Sequence, residues 1–142
     1  MSFWDASALL PLILEEPGSA AVLRLLRAEG PPVVWWGSLV ECTSALERRL
    51  RAGQLKIGGK RVADGLLQQL AQTWVEIEPG GALRERALRL LASHNLRAAA
   101  ALQLAAALVW AEERPAGRIF VCLDARLREA ARQNGFTVLP ED

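Results

Sequence analysis

Short apolar, β-favouring runs alternate with longer stretches of helical periodicity along the whole chain. The runs occupy residues 2–5, 33–36, 74–77, 118–123 and 136–139, and helical patterns fill the intervals. Parallel strands need long crossovers, so this order implies a mainly parallel central sheet of about five strands with helices on both faces. Two runs end on an aspartate at the start of a helix: 2–4 at Asp5 and 119–123 at Asp124. In open parallel sheets, ligands bind at the carboxyl ends of the strands. Acids from opposite ends of the sequence are therefore expected in one cleft. Carboxylates gathered that way repel one another unless a cation lies between them.

The chain of 142 residues fits one α/β domain covering residues 1–142, and its 51% hydrophobic content supplies an ordinary core. Glu15, Arg24 and Arg27 interrupt the first apolar stretch, and the alanine-rich run near 96–110 is too short to span a bilayer. With no basic leader followed by a cleavage site, the expected location is cytoplasmic, with no membrane partner. Cys42 and Cys122 read as small buried hydrophobes, and a single histidine, His94, leaves little for a zinc site or a serine–histidine–acid triad. Ser93-His94-Asn95 reads as a helix end.

The net charge of +1 gives no global nucleic-acid signature. Locally, Arg48, Arg49 and Arg51 cluster, with Lys56, Lys60 and Arg61 soon after. The stretch 56–61 reads as an RNA-facing loop hinged at Gly58-Gly59, before a helix over about 60–72. The plain alternative is a solvated face. Trp4, Trp35 and Trp36 read as core or sheet-flanking residues.

Glu41 is the third acid, one turn into the helix after the second strand. Singly, each acid has a simpler reading: Asp5 and Asp124 as helix caps, Glu41 as a first-turn dipole partner. Together with their surroundings they carry a pattern. Trp4-Asp5-Ala6-Ser7-Ala8-Leu9, Ser38-Leu39-Val40-Glu41, the segment from Leu96 to Leu104 and the segment from Val121 to Ala131 follow one another in order, and Gly135-Phe136-Thr137-Val138-Leu139-Pro140 closes the series. In these pieces the chain resembles the PIN-domain family, in particular the VapC-type toxins of bacterial toxin–antitoxin pairs.

The resemblance implies a PIN-like three-layer sandwich and a Mg2+- or Mn2+-dependent endoribonuclease. It implies a homodimer and a cognate antitoxin whose arginine pairs with the acids. By position, Asp5, Glu41 and Asp124 match catalytic, metal-holding acids. Ser7 matches a supporting hydroxyl that steadies a metal-bound water. The remaining family acid falls on Ala100, flanked at helical spacing by Arg97 and Gln103. Losing that carboxylate predicts a weak or inactive nuclease, and two accounts of the alanine stand: drift toward a binding role, or replacement of an aspartate. The rival reading is a catalytically dead PIN-fold module that binds a protein. An aspartyl-phosphate phosphatase is disfavoured, because Ser7 stands where a second aspartate is required and no catalytic lysine is well placed.

Overall fold

The computed structural model describes every residue from Met1 to Asp142. Its elements run β1 (Phe3–Trp4), α1 (Ala6–Ile13), α2 (Ser19–Glu29), β2 (Val33–Trp35), α3 (Ser38–Arg51), α4 (Ile57–Ala71), β3 (Val75–Ile77), α5 (Gly81–Ser93), α6 (Ala98–Trp110), β4 (Ile119–Val121), α7 (Ala125–Gln133) and β5 (Thr137–Leu139). All four strand pairings are parallel, in the order β3-β2-β1-β4-β5. No helix is long and apolar enough to cross a membrane.

Side-chain alternation along the strands divides the core into two layers. Phe3, Val33 and Phe120 enter one cluster with α5, α6 and α7, whereas Trp4, Val34 and Val121 enter the other with α1, α3 and α4. Strands buried on both faces are apolar at every position, as β1, β2 and β4 are, whereas the edge strands carry polar residues, Glu76 in β3 and Thr137 in β5. The expected α/β sandwich is the observed one. Trp4 and Trp35 are core residues, but Trp36 is 51% exposed, because the strand ends at Trp35 and no layer covers the next side chain.

The helices depart from expectation at one place. Gly58-Gly59 does not separate a loop from a helix: both glycines lie in the first turn of α4. At Gly59 a Cβ would stand 3.0 Å from Leu55 Cδ1, a tight contact, while at Gly58 it would meet open space. The segment 56–61 is therefore mostly helix, not a hinged loop.

The topology fixes where a ligand can sit. The chain leaves β1 for β2 and β3 on one side, then returns to β4 and β5 on the other. Connections from β1 and β4 thus diverge at their carboxyl ends, opening the crevice in which α/β sheets bind ligands.

Candidate active site

Asp5 and Asp124 stand at that divergence. Asp5 follows β1, and its N–H donates to Val121 O at 3.2 Å, tying it to the end of β4. It also caps α1, accepting from Ser7 N at 3.3 Å and from Ser7 Oγ at 2.7 Å. Ser7 Oγ in turn accepts from Leu123 N at 2.9 Å. Its proton is thus directed at Asp5, and Ser7 orients that carboxylate. Asp124 caps α7 through Leu127 N at 3.3 Å. Both aspartates cap helices, as the simpler reading has it, and both also face a common hollow.

That hollow, about 790 Å3, is lined by Asp5, Ser7, Glu41, Ala100, Gln103 and Asp124 among others. The structure brings together all three candidate acids, the supporting serine and the position of the missing acid. Helix α3 contributes Glu41 from its first turn, and α6 contributes Ala100 and Gln103. Gln103 is 1% exposed and donates from Nε2 to Ser38 Oγ and to Glu41 Oε2, both at 3.0 Å.

Electrostatics at the hollow favour a cation. Burial first, with a contribution from the Glu41 charge, pushes Asp5 up from 3.8 to about 6, against the lowering effect of its Ser7 and Cys122 hydrogen bonds. Burial also raises Glu41, partly offset by Gln103. None of the chain's ion pairs involves Asp5, Glu41 or Asp124, so no lysine or arginine neutralises them. Cys42 and Cys122 are free and buried as expected; burial drives both thiols upward, Cys42 to about 12, so neither supplies a thiolate at neutral pH.

The residues present fit a hard divalent ion on donor type. Carboxylate oxygens suit magnesium or manganese, and magnesium keeps several waters while using one or two carboxylates. The buried Gln103 Oε1 has no partner in the chain and remains an acceptor for an O–H donor. The cluster is nonetheless open: no three His, Cys, Asp or Glu side chains stand close enough to hold an ion among them. Ala100, half-buried against the core, leaves a methyl in the hollow.

The basic candidates separate. Arg48 lines the hollow, held by a 2.9 Å bond from Nη1 to Ser44 Oγ. Arg49 pairs with Glu16 at 3.3 Å, and Lys60 pairs with Glu47 and Asp64, each at 2.7 Å. Arg51, Lys56 and Arg61 are exposed and away from the hollow. The sequence did not single out Arg126 and Asn95 as site residues, yet both line the hollow along with Arg97. Their signal was position alone, just after Asp124 and just before α6.

No family model matches this sequence, and no curated protein matches it.

Proposed function

We propose that this chain is a divalent-metal-dependent endoribonuclease of the PIN-domain, VapC-like kind, weakened by alanine at position 100. The observation that carries the reading is the meeting of Asp5, Glu41 and Asp124, from three separate segments, in one hollow at the sheet's divergence point. Unneutralised carboxylates there, Asp5 buried, Glu41 half-buried and Asp124 exposed, are what a magnesium or manganese ion would compensate.

When bound, such an ion polarises the phosphoryl group and lowers the pKa of water at the phosphorus. The chain's own residues do the rest. Asp5, aimed by Ser7, is the deepest acid and the principal ligand. Glu41, held by Gln103, faces the same space and accepts a proton from water or holds that water in line. Asp124, at the end of the neighbouring strand β4, would hold the ion directly or through a water. Arg48, Arg97 and Arg126 carry no ion pair and line the same hollow as the acids, where they would meet the phosphates flanking the scissile one.

Restoring the fourth carboxylate is the test. Ala100→Asp is expected to raise Mg2+-dependent cleavage of single-stranded RNA at least tenfold, equivalent to about 1.4 kcal/mol of barrier. No gain removes this account of position 100.

A second reading is favoured by the open cluster and the Ala100 methyl: a PIN-fold module that binds a protein without cutting. Val40, 69% exposed, lines the hollow's mouth, close to the exposed Leu39 and Trp36. A cognate antitoxin would lay an apolar segment there and direct an arginine at the acids. Calorimetric titration with Mn2+ separates the readings, since the binding module yields no specific heat. Co-purification with a small partner is compatible with both.

A further inference from the structure

A second hollow, about 390 Å3, lies beside the first, between the link that joins α5 to α6 and the outer face of α7. The two share Asn95, Leu96 and Arg126, so they form one groove divided by those three side chains. We propose that the second hollow is a base-binding subsite: it takes the base of an unpaired nucleotide next to the phosphodiester held at the acids. This rests on the nuclease reading above and adds to it which part of the substrate is recognised, and where.

The lining chemistry selects a base over a phosphate. Leu96, Ala125 and Ala130 offer apolar surface, while Asn95 and Gln133 carry amides that both donate and accept. A nucleobase has the matching character, apolar on its faces and hydrogen-bonding at its edges. Glu129 also lines the hollow and accepts from Gln133 Nε2 at 3.0 Å. A carboxylate there repels phosphate but accepts from the exocyclic amine of a base. That bond leaves Gln133 Oε1 open, and Asn95 is exposed with no side-chain hydrogen bond of its own.

Charge changes sign along the groove in the order a nucleic acid chain requires. Acids that call for a metal occupy the first hollow and Arg126 without an ion pair stands at the divide; beyond it the one carboxylate, Glu129, lies 3.9 Å from Arg132, and His94 meets Asn134 Nδ2 through Nε2 at 3.1 Å. A backbone phosphate at Arg126 would turn its base into the second hollow. The hollow's volume lies within the range of about 300–1,000 Å3 typical of small-ligand sites. Bases stacked in a duplex cannot enter it, so the substrate is single-stranded; recognition of RNA through splayed-out bases works this way.

The chain as it stands, slow to cut, suits a binding test. Fluorescence polarisation with short single-stranded RNAs is run beside the same oligomers carrying one abasic residue at each position in turn. One abasic position is expected to weaken binding about tenfold, with the others near neutral. Gln133→Trp, at an exposed helix end, fills the hollow and is expected to abolish that position dependence. A thermal melt matching the parent's establishes that this variant is folded. Equal losses at every abasic position, an unaltered pattern in Gln133→Trp, or duplex RNA binding as tightly as single strands each overturn the subsite while sparing the nuclease reading. Failure of the parent to bind any RNA removes the nuclease reading, and the subsite with it.

Discussion

Gln103 and Glu41, on α6 and α3, are joined by a 3.0 Å hydrogen bond from Nε2 to Oε2 that crosses the floor of the acid-lined hollow. The second amide proton goes to buried Ser38, so the amide cannot rotate without losing both bonds. Gln103 therefore fixes the direction in which Glu41 points. Gln103→Met removes these donations and also the orphaned Oε1, whose burial costs about 1–3 kcal/mol. These effects oppose one another, so stability is expected to change by about 1 kcal/mol or less, while Mn2+ affinity falls because Glu41 is no longer held. Gln103→Glu sets a second carboxylate against Glu41 and is expected to destabilise the fold strongly at pH 7 and less at pH 5. Urea unfolding and Mn2+ calorimetry on both variants check this.

That link marks where the sequence stops being informative. Asp5, Asp124 and Glu41 were legible because each position follows from a local rule: a strand's end, or one turn into the helix after it. The parallel order of strands then carries them together. Gln103 is visible as a neighbour of position 100 through helical spacing, but its bond to Glu41 depends on how α6 packs beside α3, which no local pattern encodes. The same limit applies to Lys60. Its i,i+4 pairing with Asp64 is a local pattern, but only the docking of α4 on α3 sets Glu47 opposite it. Gly58-Gly59 misled for a related reason: glycine lowers helix propensity locally, but the burial of Ala63 and Leu67 in the core layer holds α4 as a helix from Ile57 onward.

Asp5 makes stability depend on pH in a definite direction. Its pKa rises from 3.8 to about 6 on folding, so the folded chain holds the proton more tightly. The resulting stabilisation is complete below about pH 4 and is lost as pH rises through 6, a penalty at pH 7 on the order of 3 kcal/mol. Asp5→Asn avoids the penalty but weakens the cap at Ser7 N. It is expected to be about 1–2 kcal/mol more stable than the parent at pH 7, with no advantage at pH 4. Mn2+ is expected to raise the melting temperature of the parent and not of Asp5→Asn. A parent whose stability is flat between pH 4 and 7 would contradict the desolvated acid.

Arg48 and Lys60 are expected to part company in RNA binding. Arg48 lines the hollow without a carboxylate partner, whereas Lys60 already has two. Arg48→Ala should weaken single-stranded RNA binding and reduce the slope of log affinity against log salt by about 0.7, the release of one counterion's worth of charge. Lys60→Ala should leave both affinity and slope unchanged while loosening α4 on α3. Polarisation titrations at several salt concentrations read both outcomes, and equal effects would mean that phosphate is contacted outside the hollow.

Arg128 supports the site from beneath. It is 8% exposed, and its guanidinium donates to Cys122 O and Pro140 O at 2.7 Å and to Asp142 Oδ1 at 2.8 Å. The two carbonyls belong to the chain leaving β4 and the chain leaving β5, so one planar fork fastens the strand end that carries Asp124. Arg128→Met keeps much of the packing but leaves these acceptors without a donor, and is expected to cost about 2–4 kcal/mol in urea unfolding. The Asp142 contact contributes little of that, because Asp142 is 79% exposed and its pairing is screened. Asp142→Asn should therefore lie within about 1 kcal/mol of the parent. With the turn before α7 loosened, Arg128→Met should also bind Mn2+ less tightly than its residual stability explains. Such a loss, measured where the variant is still fully folded, would separate support of Asp124 from general destabilisation.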